Sequence, residues 1–304
     1  MDRAMSAKTF STTIHSKQFG GRMKRFPYLM ILLLVPVIAF GQASKSCCAI
    51  ASSTKDFAML ANDPAFVATH LDPLPFHYQS NTGKWITFKT SDSIEGRGFE
   101  VKASKATNNV VFLFHEWWGL NDYIQREAEN LQKELSNVTV IALDLYDKKV
   151  AATQADAQKY MGELKEERAR SIIDGAIKYV GTKARIGTIG WCLGGGWSMQ
   201  ATLAAAKQGV ACVMYYGMPE KDMERIKSLN APVLFVFASQ DQWINKNVLD
   251  EFQKGMSDAK KILTVKSYDA DHAFANPSNP KFNKEFADDA HKHAVDFFKS
   301  HLLK

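Results

Sequence analysis

The chain has 304 residues, of which 46% are hydrophobic, and its formal net charge is +6. All of this excess charge lies in an N-terminal extension, residues 1–46, because residues 47–304 contain 31 basic and 31 acidic side chains. A nucleic-acid-binding protein carries its basic patch on the folded part, so this distribution argues against nucleic acid as a partner. The length suits one large α/β domain or two small ones.

The N-terminal extension has the pattern of a secretory signal peptide. A short basic start precedes an apolar run at residues 26–40, and small residues follow at 41–44. We expect cleavage near Ala43 and export to the periplasm or the medium, with either Met1 or Met23 as the start. The alternative is an uncleaved leader that anchors the chain in the membrane, although about fifteen apolar residues are short for a span.

The chain contains four cysteines, too few at this length for a disulfide scaffold. Cys47 and Cys48 follow the leader at a place where a lipid anchor would attach, but the preceding SKS is a poor lipidation signal. Cys212 lies in an apolar strand pattern and is predicted to be a buried small hydrophobe. Cys192 alone has an unusual setting.

Residues 47–80 are predicted to form an irregular N-terminal arm. Prolines interrupt this segment at three positions, and we expect at most one short helix, in the stretch STKDFAMLAND. From residue 81 the pattern becomes regular, so residues 81–304 are predicted to form one domain.

The domain begins with two segments of alternating polarity, WITFKT and GFEVKA, which predict a pair of antiparallel strands. Six continuous apolar runs follow, and such runs are typical of strands covered on both faces of a sheet. These runs are VVFLF, VTVIALD, RIGTIG, VACVMYYG, PVLFVFAS and ILTVKSY.

Helical patterns lie between the strands. NDYIQREAENLQKEL begins with an Asn-Asp cap and has apolar residues at three-to-four spacing, EERARSIIDGAIKYV behaves likewise, and KEFADDAHKHAVDFFKSHL closes the chain. The alternation of strand and helix predicts an α/β fold with a doubly wound, mostly parallel sheet and helices on both faces.

Ligands bind such sheets at the carboxyl ends of the strands, so the residues that follow each strand are informative. HEWWGL follows VVFLF, Cys192 follows RIGTIGW, Asp241 follows PVLFVFAS, and His272 follows ILTVKSY. A thiol, a carboxylate and an imidazole are therefore predicted at one edge of one sheet.

The stretch GWCLG, residues 190–194, has the pattern of a nucleophile elbow with cysteine in place of serine. The two glycines allow strand and helix to approach closely around Cys192. We expect this strained turn to lift the sulfur into the open, at a helix N-terminus that favours thiolate. The order nucleophile, acid, base along the chain is also that of α/β-hydrolases.

Over roughly residues 82–302 the sequence resembles the dienelactone hydrolase (carboxymethylenebutenolidase) family of α/β-hydrolases. The motifs that carry the likeness are HEWWGLN, DLY, GWCLGGG, YYG, SQDQWI and DADHAF. The resemblance implies that Cys192 is the nucleophile, that His272 is its base, and that Asp241 orients the imidazole. It also implies that Glu116 contacts the resting thiol and helps it to ionise.

The resemblance further implies an oxyanion hole made by the backbone N–H groups of Leu193 and Trp117. Donors placed beside a nucleophile in this way stabilise the charge that develops on the carbonyl oxygen. The side chains predicted to line the substrate pocket are Trp118, Tyr160, Trp243, Phe274 and Asn276.

The sequence departs from the family pattern where dienelactone-cleaving members hold a substrate carboxylate with two arginines. Asn276 occupies one of these positions, and Asp156, in the stretch DAQKY before Tyr160, aligns with the other. An anion in place of a cation repels a carboxylate. We therefore expect a neutral ester or lactone as the small-molecule substrate.

Several of these side chains also have structural interpretations. Asp241 alternatively caps the following helix, Glu116 alternatively pairs with a cation, and His115 is interpreted as structural at the strand end. His291 and His293 lie two apart on a helix, point to different faces, and are not predicted to form a metal pair.

The sequence shows no metal-ligand cluster and no phosphate loop, so we expect no cofactor and no metal. We also expect a monomer. The alternative function is a non-enzymatic ligand-binding protein on the same fold. A thiol redox protein is disfavoured, because no C-x-x-C or evident resolving cysteine is present.

Overall fold

The computed structural model describes residues 52–303, together with Gln18 and Gly20. The predicted signal peptide, its cleavage near Ala43, and the pair Cys47 and Cys48 lie outside the described residues. Residues 52–303 all belong to one compact unit, Cys47–Lys304. In the described part of the chain, no helix has the length and apolarity that a membrane crossing requires.

An eight-stranded sheet forms the centre of the domain, in the order β1-β2-β4-β3-β5-β6-β7-β8. Strand β2 pairs antiparallel with β1 and β4, and every other pair is parallel. The strands are β1 (Lys84–Phe88), β2 (Gly96–Val101), β3 (Asn109–Phe114), β4 (Thr139–Leu143), β5 (Arg185–Trp191), β6 (Gly209–Tyr215), β7 (Val233–Ala238) and β8 (Leu263–Tyr268). Each of the eight predicted strands is present, and the predicted antiparallel pair is β1 and β2.

Helices cover both faces of this sheet, as predicted. On β5, Thr188 donates a hydrogen bond to the Ser198 carbonyl of α6, whereas a side chain on the adjacent Gly187 would meet Phe298 of α9. Neighbouring strand residues point to opposite faces, so α6 and α9 lie on opposite sides. The helices are α1 (Ser53–Met59), α2 (Pro64–Thr69), α3 (Asp122–Leu135), α4 (Gln154–Glu163), α5 (Glu166–Val180), α6 (Leu193–Ala205), α7 (Met223–Ser228), α8 (Lys246–Asp258) and α9 (Lys284–His301).

The strand order places β3 and β5 side by side, with β4 on one side and β6 on the other. The connections from β3 and β5 therefore lead in opposite directions, which opens a crevice at the carboxyl ends of these strands. The central strands β3, β5, β6 and β7 are almost completely buried, consistent with their continuous apolar sequences. The sheet thus presents a rigid edge on which loop residues are positioned.

The N-terminal arm contains two α-helices, α1 and α2, rather than the single helix expected at most. Asp63 begins the second helix by accepting hydrogen bonds from the backbone N–H groups of residues 65 and 66, and Pro64 occupies its first position. Phe57 and Phe66 are fully buried, so the arm packs into the core of the domain.

Candidate active site

The turn between β5 and α6 has the geometry of a nucleophile elbow. Cys192 has φ 57° and ψ −121°, a conformation that non-glycine residues rarely adopt. A side chain on Gly190 would collide with the Gly194 backbone, and one on Gly194 would collide with the Phe114 carbonyl of β3. Glycine at both positions therefore lets the strand, the helix and β3 approach closely enough to hold the strained cysteine.

The expectation that the Cys192 sulfur is exposed is wrong. Cys192 is 1% exposed. The elbow itself has the predicted shape, but the N-terminal arm lies over it, and the arm's position is a matter of tertiary packing. Burial raises the pKa of the thiol, and the nearby His272 opposes this effect.

Asp241 and His272 form a buried pair at the same edge of the sheet. Asp241 Oδ2 and His272 Nδ1 are 2.5 Å apart, and Asp241 Oδ1 accepts from the N–H groups of Trp243 and Ile244. The helix that follows is capped by Asn245 instead. Asp241 therefore fixes the imidazole as well as the loop that carries the carboxylate.

The other imidazole nitrogen of His272 faces the thiol. His272 Nε2 lies within 4.8 Å of the Cys192 sulfur and, among the described residues, has no hydrogen-bond partner. Burial by itself lowers the pKa of His272, but Asp241 and Cys192 outweigh it and hold this pKa well above its usual value. The ring thus holds a proton readily, and its Nε2 lies near the sulfur without a hydrogen-bond partner among the described residues.

Glu116 lies two residues after the end of β3 and is also buried. It accepts hydrogen bonds from the Tyr216 hydroxyl at 3.3 Å and from the Asn276 amide, and forms no salt bridge with any described residue. Burial raises the pKa of Glu116 to about 7, against the opposing effects of His272, Tyr216 and Asn276. Pairing with a cation, the structural alternative for this carboxylate, is therefore not observed.

The two predicted oxyanion-hole residues each follow a candidate catalytic residue: Leu193 follows Cys192, and Trp117 follows Glu116. Leu193 is the first residue of α6, so its N–H has no acceptor within the helix, and it interacts with the Cys192 sulfur. Trp117 follows Glu116 at the end of β3 and is fully buried. Adjacent to these residues, His115 accepts from the Leu145 N–H and bonds the Glu116 carbonyl, which agrees with a structural role.

The residue that sequence reasoning missed is His70, at the end of α2 in the N-terminal arm. Its Nε2 lies 4.0 Å from the Cys192 sulfur, and its Nδ1 lies 2.7 Å from the Phe66 carbonyl oxygen. Burial and then the charge of His272 lower the pKa of His70 to about 3, so the ring is neutral at physiological pH. Asp63-Pro64 in the sequence is a helix-start signal, but nothing local indicates where the helix docks.

Aromatic rings enclose the two imidazoles. The ring centroids of Phe66 and Tyr216 lie 5.7 Å and 5.0 Å from that of His272, and Trp117 lies 4.5 Å from His70. Phe57 of α1 lies 6.3 Å from His272. The surroundings of the sulfur are therefore apolar and aromatic, with contributions from the arm and from the domain.

Three of the predicted pocket residues lie near this centre. Trp118 packs against Trp117 at 4.9 Å, Trp243 packs against Phe66 at 5.2 Å, and Phe274 packs against Tyr216 at 5.6 Å.

Asn276 is near the centre as well, but its side chain is committed within the protein. Its amide nitrogen donates to Glu116, and its oxygen accepts from the N–H and hydroxyl of Ser278. Glu116, Trp118 and Asn276 line a cavity of about 290 Å³ that extends between α3 and α9.

Tyr160 and Asp156 lie on α4. Tyr160 packs against Tyr146 and lines a separate groove of about 420 Å³, while Asp156 bonds Thr153 in the first turn of the helix. Among the residues that the structure describes, Cys192 lines neither this groove nor the cavity beside Glu116. The sulfur is thus closed off while the arm is in place.

Comparisons with known proteins identify a family and a fold. The model of the "Dienelactone hydrolase family" matches residues 97–302. "Protein usf" of Aquifex pyrophilus is 26% identical over 233 residues, covering 72% of this chain and 99% of that protein. The carboxymethylenebutenolidase of Pseudomonas sp. strain P51 is 29% identical over 115 residues, 38% of this chain and 47% of that protein.

A solved structure shares the fold. The dienelactone hydrolase-like promiscuous phosphotriesterase P91 from metagenomic libraries superposes with a TM-score of 0.60 at 18% identity, covering 72% of this chain and 99% of that one.

Proposed function

The chain belongs to the dienelactone hydrolase family, and from this premise we propose that it cleaves a neutral ester or lactone through a triad of Cys192, His272 and Asp241. The family is one of hydrolases that act on small molecules. The observation that supports this triad is the buried Asp241–His272 bond, with the unpartnered imidazole nitrogen facing the elbow cysteine. The nucleophile, the base and the orienting carboxylate would then adjoin one another in the order that acyl transfer requires.

The reaction begins when His272 Nε2 takes the thiol proton and the Cys192 sulfur attacks the carbonyl carbon of the substrate. The carbonyl oxygen becomes an oxyanion, which the N–H groups of Leu193 and Trp117 stabilise. Collapse breaks the bond to the alcohol oxygen, and His272 returns the proton to it. Water, deprotonated by His272, then attacks the thioester, releases the acid and restores the thiol.

Substrate reaches the sulfur only if the N-terminal arm moves. Cys192 is 1% exposed, and α1 and α2 place Phe57, Phe66 and His70 around it. The hydrogen bond from Trp243 Nε1 to Asp63 Oδ2, at 2.9 Å, ties the start of α2 to the catalytic loop. The arm therefore acts as a lid whose opening precedes acyl transfer.

Preference for a neutral substrate follows from the groups near the centre. Aromatic rings enclose the imidazole that faces the sulfur, the Glu116 carboxylate acts on the thiol, and the Asp241 carboxylate is bonded to His272. Asn276, in the position of a family arginine, donates to Glu116 and has no charge to offer a substrate carboxylate. A carboxylated lactone would thus lack a cationic partner at the position of Asn276.

The assignment is tested with a panel of neutral small esters and lactones, assayed with wild type and Cys192→Ala. Turnover by wild type and its loss in the variant supports the triad. Binding without turnover by wild type would favour the alternative, a non-enzymatic ligand-binding protein.

We also propose export, because the leader has a basic start, an apolar run and small residues before Ser44. N-terminal sequencing of chain recovered from the periplasm or the medium tests this proposal. A first residue near 44 supports cleavage, and a chain that retains MILLLVPVIAF supports the membrane-anchored alternative.

A further inference from the structure

Three side chains from distant parts of the chain converge on one point. His70 Nε2, Cys192 Sγ and His272 Nε2 all lie within 4.8 Å of one another. Each of the three residues is buried. Triad chemistry uses the thiol and one imidazole, so it leaves the presence of the second imidazole unexplained.

Both imidazoles present the same nitrogen to the sulfur because their other nitrogen is held from behind. His70 Nδ1 is bonded to the Phe66 carbonyl oxygen, and His272 Nδ1 is bonded to the Asp241 carboxylate. Each Nδ1 bond fixes the ring and leaves Nε2 directed inward. His272 Nε2 is buried and makes no hydrogen bond to any residue that the structure describes.

Two imidazole nitrogens and one thiolate sulfur are a ligand set that suits a borderline-soft cation such as Zn²⁺. In tetrahedral sites the metal lies about 2.0–2.1 Å from nitrogen and about 2.3 Å from sulfur, which sets ligand atoms roughly 3.5 Å apart. The observed separations reach this spacing with shifts on the order of 1 Å. A carboxylate or carbonyl behind each ligating histidine is the usual outer support of such sites.

We propose that His70, Cys192 and His272 form a binding site for a thiophilic divalent cation, Zn²⁺ in the first instance, when the arm is closed. On binding, the Cys192 S–H bond breaks, His272 Nε2 gives up any proton that it carries, and these protons pass to solvent. The sulfur and the two imidazole nitrogens then each donate a lone pair to the metal. No electron is transferred. The site is independent of the proposed hydrolase activity, since it requires ligand atoms and not turnover.

Binding has two consequences for the molecule. The metal occupies the sulfur and the base nitrogen together, so a hydrolase using these atoms would be inhibited reversibly. Because His70 belongs to the arm, the metal also joins α2 to the elbow and holds the lid shut.

The experiment uses the full chain, reduced and freed of metal with a chelator, and Co²⁺ as the spectroscopic probe. Wild type should bind one Co²⁺ with thiolate-to-cobalt charge-transfer absorption and the intense visible bands of a tetrahedral site. Cys192→Ser should lose the charge-transfer band. His70→Gln should raise the dissociation constant at least about tenfold, with circular dichroism confirming that each variant is folded.

The matched control is His77→Gln. His77 lies in the same arm, but its side chain is 91% exposed and contacts Asp122. This variant should bind Co²⁺ as wild type does. Absence of the charge-transfer band in wild type, or equal Co²⁺ affinity in His70→Gln and wild type, overturns the proposal.

A second measurement needs no variant. Zn²⁺ should slow alkylation of Cys192 by iodoacetamide in wild type, with release of protons on metal binding, and a chelator should restore the rate. Unchanged alkylation in saturating Zn²⁺ also overturns the proposal. These readouts do not depend on esterase activity, so failure of the metal site and failure of the hydrolase assignment are separately visible.

Discussion

His70 Nε2 lies 4.0 Å from the Cys192 sulfur, although the two residues are 122 positions apart in the chain. The contact exists because α2 of the N-terminal arm packs over the nucleophile elbow. It brings a second imidazole to the thiol and at the same time closes the route to it. Access to Cys192 should therefore be controlled from the arm.

Loosening the arm should expose the thiol. Asp63→Ala removes the cap of α2 and the bond to Trp243, and a lost cap costs about 1 kcal/mol. Opening should become about fivefold more frequent, so Cys192 should be alkylated about fivefold faster, as measured by mass spectrometry without added metal. The control Lys221→Ala removes an ion pair to Asp56 on α1 and should change the rate little. Equal rates in wild type and Asp63→Ala would contradict the lid.

The Asp241–His272 pair should behave as one unit with the thiol. Asp241→Asn leaves the loop in place but disfavours the imidazole tautomer needed for catalysis, and kcat should fall roughly 10³- to 10⁴-fold. His272→Ala should be nearly as damaging as Cys192→Ala, and the double variant barely worse. His293→Ala, on a partly exposed part of α9 beside Asp289, should retain activity. Additive losses at Cys192 and His272 would mean that the two residues work separately.

Much of the fold is predictable because it rests on local patterns. The segments ending in Leu135, Val180 and Leu302 are predicted to be helical, and the corresponding helices end at Leu135, Val180 and His301. The positions of Cys192 and His272 followed from counting residues after strands, since parallel strands end at one edge.

The position of the N-terminal arm over the site could not be predicted from local patterns. Asp63-Pro64 signals a helix start, but the docking of α2 depends on Phe57 and Phe66 filling the core, which is a tertiary property. The elbow motif around Cys192 describes the turn and carries no information about what lies above it. The thiol was therefore expected to be exposed and is buried.

Glu116 should make stability depend on pH. Its pKa is raised from 4.5 to about 7 on folding, so the folded state binds the proton more tightly, and stability falls as pH rises through this interval. From pH 5 to pH 8, the free energy of unfolding of wild type should fall by about 2 to 3 kcal/mol more than that of Glu116→Gln.

Urea unfolding at the two pH values measures this difference directly. Glu163→Gln is a suitable control, because Glu163 is half-exposed and paired with Lys149 on the surface. Parallel pH curves for wild type and Glu116→Gln would show that Glu116 is not buried as a protonated acid near neutral pH.

Substrate charge should be controlled at Asn276. Asn276→Arg places a guanidinium beside Glu116, and a charge-assisted bond to a substrate carboxylate is worth about 1.5–3 kcal/mol. Because Glu116 competes for this cation, the ratio of kcat/KM for a carboxylated lactone to that for a neutral one should rise about tenfold. Asn276→Gln, which adds length without charge, should leave the ratio unchanged. Equal cleavage of both substrates by wild type would contradict the preference for neutral substrates.

Covalent catalysis by Cys192 is tested most directly by trapping the acyl-enzyme. Wild type is mixed with an activated aryl ester, quenched in acid, and analysed as intact protein and as peptides by mass spectrometry. We predict a burst of one equivalent of alcohol and one acyl group on the peptide that contains Cys192. Cys212→Ala, which changes the other buried cysteine of the described chain, should behave as wild type does. Retention by Cys192→Ala of more than about a tenth of wild-type turnover, or an acyl group on any other residue, would contradict the assignment of Cys192 as the nucleophile.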